Sequence, residues 1–486
     1  MARIDDITRQ RREKLQRLRE QGIDPYPPRY NRSHTTREAI ALFESGVESL
    51  VSLAGRITAI RGMGKAVFMD IRDSSSRMQL YFNKGRLPED KVELIKLCDI
   101  GDFIGVSGKI FRTRTGEVTL EVADFTMLSK SMQPLPEKWH GLTDVEKRYR
   151  QRYLDLISSD EVRHIFSVRS GVISALRRFM EGRGFVEAET PVLHTVAGGA
   201  LARPFVTRHN ALDQDFYLRI ATELYLKRLV IGGIDKVYEI GRIFRNEGIS
   251  TKHNPEFTMM ESYEAYADYN DVMAMLEQLA SIVAQEVMGT MKTEFGGETI
   301  DFSPPWRRVT LRDAVKEGCG IDFLEHDEQA LRAEIAERKL DVDLNLSTPQ
   351  ILDKLVSHYV EPKLIQPAFL IDYPIEMSPL AKRKPGDPCL VERFEAFAGG
   401  MEIANAFTEL NDPEEQRERF RQQEEIRARL GEEQGERADE DFLIALDYGM
   451  PPTGGLGVGI DRLVMLLTGQ QSIREVILFP QLRTRQ

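Results

Sequence analysis

The stretch GRIFRNEGISTKHNPEFTMMESY, Gly241 to Tyr263, decides the fold of this chain. Two segments rich in β-formers flank a polar loop, a pattern that predicts a hairpin with strands over 236–245 and 256–265. Charged side chains stand where a sheet normally buries valine or leucine, among them Arg245 and Glu261. Because an unpaired buried charge is costly, these groups need each other or a charged ligand.

Alternation along the strands brings chemically different groups to one face of this hairpin. Phe257, Met259, Glu261 and Tyr263 share a face, and Arg245 on the other strand can point the same way. A guanidinium suits a phosphate or carboxylate, a ring suits a flat base, and a carboxylate beside a phenol suits an ammonium group. From the hairpin alone, a self-satisfied salt-bridge network remains an equal alternative.

Two later segments favour a ligand site. GGLGVGIDRL places Arg462 behind clustered glycines at the start of an apolar helix, where a phosphate could approach the backbone closely. The segment lacks the P-loop pattern GxxxxGK[ST]. RFEAFAGGMEIANAF carries Glu395 and Glu402 on either side of a Gly-Gly break. Two oxygen ligands that leave room for water and phosphate suit Mg²⁺.

The N-terminal part of the chain has a different pattern. Short strands separated by turns run from Val51 to Leu128, with one helical segment near Glu89–Leu97. Five strands with a helix between the third and fourth predict a barrel of the OB type. Phe68 and Gln79 lie on neighbouring strands, where an exposed face could stack unpaired bases. Taken alone, each is better explained as a packing or surface residue.

Composition limits the class of protein. With 486 residues, the chain should form two or three domains. The net charge of −11 hides a mildly basic N-terminal third and a strongly acidic remainder, so nucleic-acid contact is expected at the N-terminal end. Cys98, Cys319 and Cys389 stand far apart, and the chain lacks a signal core or an apolar run of spanning length. We therefore expect a cytoplasmic protein without a membrane span.

After the proline-rich linker at 131–142, strands and helices follow without regular βαβ alternation. This order predicts an α+β domain with a mainly antiparallel sheet. Residues 311–365 have a mainly helical and polar pattern. A long charged helix is expected from about Asp412 to Arg437, and its charges are most simply a solvated face.

Three signatures, in this order, resemble the class II aminoacyl-tRNA synthetases. They are an extended segment closing on Pro191, FRNE followed by HNPEFTMME (Phe244–Glu261), and GLGVGIDRL with Arg462. The OB-like domain narrows the resemblance to the lysine, aspartate and asparagine subgroup. GGALARPF (Gly198–Phe205), ATELYLKRL and RFEAFAGGMEIANAFTELNDPEEQ are similar to the lysyl members, and the similarity covers nearly the whole chain.

The resemblance implies an α+β fold class with two parts. Residues 1–142 would hold the N-terminal helix, an OB-fold anticodon-binding β-barrel and the linker. Residues 143–486 would form a class II catalytic domain, with a mainly antiparallel six- to seven-stranded sheet flanked by helices and a largely helical insertion around 311–365. It also implies a homodimer, with the segment around Pro191 at the interface.

The implied activity is that of an ATP-dependent lysine–tRNA ligase. L-Lysine would react with ATP in the presence of Mg²⁺ to give lysyl-adenylate and pyrophosphate, and the lysyl group would pass to the 3′ end of tRNA(Lys). Such chemistry needs positioning and charge neutralisation rather than a protein nucleophile. The catalytic roles would fall to Arg245 and Arg462.

The resemblance also assigns binding residues. The ATP-binding set is Arg245, Glu247, His253, Asn254, Phe257, Glu402 and Arg462. The Mg²⁺ ligands are Glu395 and Glu402. The lysine-binding set is Gly199, Glu223, Glu261, Tyr263, Asn405, Phe407 and Glu409. The tRNA anticodon set is Arg61, Phe68, Gln79 and Glu117.

Two rival functions remain. An aspartyl- or asparaginyl-tRNA synthetase would share the fold, but an aspartate enzyme should place a cation at the base of the amino-acid pocket. An OB-fold RNA-binding regulator with an inactive synthetase domain would be expected to lack the phosphate arginines or the metal carboxylates, and all of them are present. Leu201, where a small residue is expected, and the acidic stretch 429–440 receive no function.

Overall fold

The computed structural model describes residues 2–136, 142–196, 198–199, 202–429 and 439–483. The chain divides into two compact units, Met1–Gly141 and Leu142–Gln486, and each has a hydrophobic core of its own. Residues 137–141 of the predicted linker, Leu201 and residues 430–438 of the acidic stretch lie outside the described residues. Within the described chain, no helix is long and apolar enough to cross a membrane.

The first unit consists of two N-terminal helices followed by a barrel that contains a third. Its elements are α1 (Ala2–Glu20), α2 (Thr36–Glu44), β1 (Leu50–Met63), β2 (Ala66–Arg72), β3 (Arg77–Asn83), α3 (Glu89–Leu97), β4 (Phe103–Arg112) and β5 (Val118–Ser129).

The strands of this unit close into a barrel in the order β1-β2-β3-β5-β4. β1 is long enough to pair with both β2 and β4, and its alternating burial turns Val51, Leu53 and Ile57 into the interior. β3 and β5 pair in parallel, with α3 between β3 and β4 in the chain. Leu18 of α1 is fully buried in the same core. The predicted OB-type barrel is confirmed.

The second unit begins with helices and short strands around the charged hairpin. These elements are α4 (Val145–Arg150), α5 (Arg152–Ser158), α6 (Asp160–Gly182), β6 (Val186–Glu187), β7 (Leu193–His194), β8 (Val206–His209), β9 (Gln214–Leu218), α7 (Glu223–Ile231), β10 (Lys236–Phe244), β11 (Glu256–Ala265) and α8 (Tyr269–Met288).

The remainder of the unit adds the helical segment and the last strands of the sheet. These elements are β12 (Lys292–Phe295), β13 (Glu298–Asp301), β14 (Arg307–Thr310), α9 (Leu311–Cys319), α10 (Glu328–Glu337), α11 (Thr348–Leu355), β15 (Ala368–Pro374), β16 (Leu390–Ala398), β17 (Met401–Thr408), α12 (Pro413–Arg429), α13 (Glu440–Asp447), β18 (Thr453–Gly459), α14 (Ile460–Thr468) and α15 (Ile473–Val476).

In the described part of this unit, one sheet has eight strands in the order β14-β15-β16-β17-β18-β11-β10-β6. In this order, neighbouring strands from β15 to β10 pair antiparallel. The edge strand β14 pairs in parallel with β15, and the edge strand β6 pairs in parallel with β10. The fold class is therefore confirmed, while the sheet is larger than the six or seven strands expected. The extra strands are two and four residues long, too short to give a periodic signal.

Helices α6, α8 and α14 pack against the sheet through a shared apolar core. α8 is well defined at both ends. Asp268 caps its N-terminus through a capping box, and Gly289 ends it in the left-handed region. Helix α14 follows the glycine-rich strand β18 directly in the chain, and its apolar side chains are buried in this core. The core therefore fixes the position of β18 between β17 and β11.

Candidate active site

The site is built on the central strands β11 and β18. Glu261 and Tyr263 point to the same face of β11 and are both buried. Gly457 and Gly455 of β18 stand opposite them, so that no side chain on the neighbouring strand fills the space above. The strand alternation that predicted a shared face for these two residues is confirmed. The glycines leave a cavity over the middle of the sheet.

Gly455 is required by close approach rather than by backbone strain. A Cβ atom at this position would lie 1.9 Å from Oε1 of Glu409 and 2.7 Å from the ring of Tyr263. Gly199 is needed for both reasons, since its φ is +90° and an added Cβ would lie 3.1 Å from Cβ of Ala221. Gly455 therefore makes room for Glu409 and Tyr263 at the cavity wall, and Gly199 makes room for Ala221.

The cavity has a volume of about 390 Å³ and lies over β11, β16, β17 and β18. It brings together ten of the residues predicted to bind ligands or metal. They are Gly199, Glu223, Arg245, Glu261, Tyr263, Glu395, Glu402, Asn405, Phe407 and Glu409. All seven residues of the predicted lysine-binding set are among them.

Arg245 stands out because of what it lacks. Among the described residues, no carboxylate lies within ion-pair distance of its guanidinium, whose Nε donates only a long bond of 3.4 Å to the carbonyl of Ile220. Its guanidinium carbon lies 5.3 Å from the centre of the Phe257 ring. Burial lowers the pKa of Arg245, although the nearby charges of Glu247, Glu402 and Glu261 oppose the shift. A guanidinium in this environment is suited to binding an anion.

A second cation stands next to the cavity at the start of α14. Nη1 of Arg462 donates to the carbonyl of Glu402 at 2.6 Å and to its Oε2 at 3.1 Å. Nη2 of Arg462 lies 3.3 Å from Nε2 of His253 in the hairpin loop. Burial and the charge of Arg462 lower the pKa of His253, which favours the neutral imidazole. Arg462, His253 and Glu402 thus form one polar rim.

The remaining predicted ATP-binding residues do not line the cavity. Glu247 is exposed in the hairpin loop, and its charge acts on both Arg245 and His253. Asn254 is buried, and its side-chain amide forms hydrogen bonds with backbone groups. Its Nδ2 donates to the carbonyl of Glu256 at 2.5 Å, and its Oδ1 accepts from the amide of Gln481 at 3.3 Å. Asn254 therefore has a visible structural task.

The two predicted metal ligands lie on β16 and β17. Burial, opposed by Arg393 and reinforced by the charge of Glu402, raises the pKa of Glu395 to about 7. Oε2 of Glu395 accepts from the hydroxyl of Tyr373 at 2.9 Å. Among the described residues, no cluster of three or more His, Cys, Asp or Glu side chains could hold a metal ion. A cation at these carboxylates would therefore take its other ligands from water or phosphate.

Arg393 organises this part of the cavity and was missed from the sequence. It donates to Oδ1 of Asn405 at 3.1 Å, to Oε1 of Glu395 at 2.5 Å and to the carbonyl of Met377 at 2.8 Å. Its guanidinium also lies over the Tyr373 ring at 4.4 Å. The signal was available, because Arg393 precedes Glu395 by two residues on the same strand face.

Acidic groups dominate the opposite end of the cavity. Burial raises the pKa of Glu409 to about 8 and that of Glu261 to about 7. Oε1 of Glu261 accepts from the amide of Thr222 at 3.1 Å, and its Oε2 accepts from the hydroxyl of Tyr263 at 3.4 Å. Oε1 of Glu409 has no hydrogen-bond partner in the described chain. This end is suited to cations.

Two further charged residues of this site had no signal in the sequence. Lys227 is fully buried behind Glu223 and Glu409, and Asp353 reaches the cavity wall from α11. Both positions read as ordinary polar residues of amphipathic helices. Their locations depend on how α7 and α11 pack against the sheet, which no local pattern records.

The barrel carries its own candidate site on β1, β2, β3 and β5. Arg61 pairs across the strands with Phe68, and Gln79 pairs with Thr119, whose hydroxyl donates to Oε1 of Gln79 at 2.9 Å. Glu117 accepts from Arg77 at 2.7 Å. Salt bridges from Asp70 to Arg61 and to Arg77 connect these positions into one surface.

The aromatic part of this surface is larger than predicted. The ring of Phe68 lies 5.3 Å from that of Tyr81, which lies 6.0 Å from that of Phe111. All three side chains are partly exposed. Tyr81 could have been found from the register of β2 and β3, because it pairs directly with Phe68. The face thus offers a row of rings between charged groups, an arrangement suited to single-stranded nucleic acid.

Family models match the part of the chain that carries each candidate site. Residues 144–483 match the family described as tRNA synthetases class II (D, K and N), and residues 51–128 match the OB-fold nucleic acid binding domain. The chain therefore belongs to the class II tRNA synthetase family of the D, K and N type. Its relatives narrow this class further.

Three relatives are each named lysine–tRNA ligase. The protein of Dehalococcoides mccartyi (strain 195) is 59% identical over 487 residues, covering 99% of this chain and 98% of its own. That of Pelotomaculum thermopropionicum is 54% identical, covering 99% and 96%. That of Bacillus subtilis (strain 168) is 50% identical, covering 99% and 98%. The resemblance to the lysyl members is confirmed.

Proposed function

We propose that the chain is a lysine–tRNA ligase, which activates L-lysine with ATP and transfers it to tRNA(Lys). The observation that carries this proposal is the distribution of charge in the cavity. Arg245, a guanidinium without a carboxylate partner in the described chain, faces Glu223, Glu261 and Glu409 across one space. Free lysine carries the complementary pattern of one carboxylate and two ammonium groups. Full-length relatives of the same name support the assignment.

In the first step, a carboxylate oxygen of lysine attacks the α-phosphorus of ATP. The bond from that phosphorus to the bridging oxygen of the β-phosphate breaks, and pyrophosphate leaves with the electron pair. Arg245 binds both the carboxylate and the α-phosphate, so it aligns the reacting atoms and neutralises the charge that develops between them. No protein nucleophile is needed, because the substrate supplies its own.

ATP would lie along the path from Phe257 to the rim. Adenine stacks on the ring of Phe257, and the phosphates meet Arg462 and His253. Arg462 is already positioned for this role, because it donates to Glu402 and lies beside His253 in the same rim. Glu247 would orient Arg245, and Asn254 would hold the end of the loop. The glycines of β18 allow the close packing that this path requires.

Glu395 and Glu402 fit a Mg²⁺ ion bound together with the phosphates. They supply carboxylate oxygens, burial and the charge of Glu402 raise the pKa of Glu395, and Arg393 fixes the orientation of Glu395. Mg²⁺ would neutralise the charge of the polyphosphate when bound. Arg462 shares this work through its bond to Glu402.

In the second step, a hydroxyl of the terminal ribose of tRNA attacks the carbonyl carbon of lysyl-adenylate. The ester bond to lysine forms, the bond from that carbon to the phosphate oxygen breaks, and AMP leaves. Arg245 and Asn405 hold the adenylate while the new nucleophile approaches. Arg393 supports this by fixing the amide oxygen of Asn405 at 3.1 Å.

Lysine, rather than aspartate or asparagine, fits the end of the pocket. An aspartate site needs a cation that reaches the side-chain carboxylate. Lys227 is the cation near this end, but it is fully buried, does not line the cavity and is paired with Glu223 and Glu409. Uncharged or acidic side chains would leave the carboxylates at this end unpaired.

The barrel would read the anticodon through Arg61, Phe68, Gln79 and Glu117. Phe68→Ala should reduce kcat/KM for tRNA by about tenfold to a hundredfold, because a stacking surface for one base is lost. Lysine-dependent ATP–pyrophosphate exchange should remain within twofold of the unmodified protein, since that reaction needs no tRNA. Both rates are measured on the same preparation.

Phe103→Ala is the matched control for this prediction. Phe103 pairs with Arg56 on the same barrel, and the guanidinium of Arg56 lies 4.2 Å from its ring centre. Arg56 is five residues along β1 from Arg61, or about 16 Å at the rise of a strand, so Phe103 lies away from the predicted anticodon residues. Equal losses in charging and exchange for Phe68→Ala would count against an anticodon role.

We also propose a homodimer in the cytoplasm. The segment before and after Pro191 leaves apolar side chains exposed, with Val186 at 53%, Leu193 at 44% and Val206 at 59%. A second copy of the chain would cover them, and sedimentation velocity measures the mass directly. The three cysteines are free, which suits a reducing compartment.

A further inference from the structure

Lys227 is the least accessible cation near the lysine-binding end of the cavity. It stands on α7 one turn after Glu223, and its side chain is 0% exposed. Its Nζ lies 2.6 Å from Oε1 of Glu223 and is also paired with Oε2 of Glu409. One ammonium group therefore joins two carboxylates that come from different elements of the fold.

The surroundings of this ammonium group are otherwise apolar. The rings of Tyr263 on β11 and Phe442 on α13 each lie 5.9 Å from Nζ. At the N-terminus of α13, Asp439 pairs with Arg228 at 2.6 Å rather than with Lys227. Beyond the two paired carboxylates, the charges that act on this cluster are those of Glu261 and Arg245. Burial alone would favour neutral forms of all these groups.

The balance of charge explains why an ammonium group is needed here. Glu223, Glu261 and Glu409 are three carboxylates around one small space. Burial raises the pKa of Glu409 to about 8, whereas the charge of Lys227 and its hydrogen bond lower it. The charges of Glu223 and Glu409 outweigh burial and raise the pKa of Lys227, so Lys227 stays an ammonium group. Without Lys227, the pKa of Glu409 would rise further, so that a larger fraction of this carboxyl would be neutral and unable to pair with a cation.

Lys227 does not line the cavity, so it acts through its partners. Glu223 and Glu409 both do line it, and each has an oxygen that is not the one bound to Lys227. Oε1 of Glu409 has no hydrogen-bond partner in the described residues. It also lies at the position that Gly455 leaves open. One oxygen of Glu409 is thus held from behind and the other is free for a ligand.

We propose that Lys227 is a positioning residue for the amino-acid substrate, which favours the charged form of Glu409 and holds the carboxylates of Glu223 and Glu409 on either side of one ammonium group. This proposal rests on the proposed function, because it takes lysine as the ligand whose two ammonium groups meet these carboxylates. Lys227 thereby leaves a second oxygen of each carboxylate at the cavity for a cationic ligand.

The test compares Lys227→Met and Lys227→Gln with the unmodified protein in ATP–pyrophosphate exchange. At pH 7 both variants should raise KM for lysine at least about 30-fold, the effect expected for truncating one partner of a buried charge pair. KM for ATP should stay within about threefold. Glutamine keeps a hydrogen-bond donor without the charge, so agreement between the two variants assigns the effect to the charge.

The pH profile separates positioning from simple damage to the fold. The ratio of variant to unmodified kcat/KM for lysine cancels the titration of free lysine itself. This ratio should rise about tenfold between pH 7 and 9, because the unsupported carboxylate of Glu409 ionises only at higher pH. A merely structural defect would leave the ratio flat.

Lys130→Met provides a matched control from the other unit. Lys130 is likewise a fully buried ammonium between two carboxylates, with Asp99 at 2.5 Å and Asp102 at 2.7 Å. The Lys130→Met variant should have a lower melting temperature, as we also expect of Lys227→Met and Lys227→Gln, but an unchanged KM for lysine. A flat ratio across pH, or an unchanged KM in folded Lys227→Gln, would overturn the proposal. No lysine-dependent exchange in the unmodified protein would instead overturn the proposed function.

Discussion

Arg245→Ala should abolish lysyl-adenylate formation while leaving the protein folded. We expect kcat/KM in ATP–pyrophosphate exchange to fall at least about a thousandfold, because one charged donor contacts both reacting groups in the transition state. Among the described residues the guanidinium has no carboxylate partner whose loss would destabilise the fold. The melting temperature should therefore stay the same or rise slightly, since burial of this charge is costly without a ligand.

Arg242→Ala is the control for Arg245→Ala. Arg242 lies on β10, three residues before Arg245, but its side chain is 43% exposed and lies 3.5 Å from Glu256, away from the cavity. Its removal should leave exchange within twofold of the unmodified protein. If Arg245→Ala kept normal exchange, Arg245 could not be the group that aligns lysine with the α-phosphate.

Glu409→Gln should separate lysine binding from ATP binding. The change keeps the shape of the side chain and removes the charge that meets the ε-ammonium group. We expect kcat/KM for lysine to fall at least about a hundredfold, with KM for ATP nearly unchanged. The ligand-free protein should lose some stability at pH 7, because the change removes one of the two carboxylates paired with the buried ammonium group of Lys227.

Glu264→Gln makes the same chemical change three residues beyond Glu261 on β11. Glu264 points to the other face and pairs with Lys236 at 2.7 Å. It should have no effect on either KM. An equal rise of both substrate KM values in Glu409→Gln would mean that the carboxylate supports the cavity as a whole rather than the lysine side chain.

The hairpin and the barrel could be predicted because their signals are local. Alternation alone placed Glu261 and Tyr263 on one face, and regular turns between short strands gave the barrel. The edge strands β6 and β14 could not be found, since two and four residues carry no period. Their pairing depends on the sheet that is already formed beside them.

The prediction that failed in detail is one about solvent. α12 was expected to present its charges to water, yet Arg419 is 5% exposed and donates to the carbonyls of Ser378 and Ala381 at 3.2 and 2.5 Å. Contacts with a distant segment decide the environment of Arg419, and the helix pattern does not contain them.

The cation cluster around Lys227 shows the same limit most clearly. A lysine four residues after a glutamate reads as an exposed helical ion pair. Here α7, β11 and α13 close over Lys227, and of this pair only Glu223 forms part of the cavity wall. Functional charges on strands were visible through alternation, whereas functional charges held by packed helices were not.

The most direct test of the whole account is ATP–pyrophosphate exchange measured with each of the twenty amino acids. Because one cavity contains both a guanidinium and several carboxylates, we expect that L-lysine drives exchange and that aspartate, asparagine and the neutral amino acids do not. Exchange driven by aspartate or asparagine, or by no amino acid at all, would contradict it.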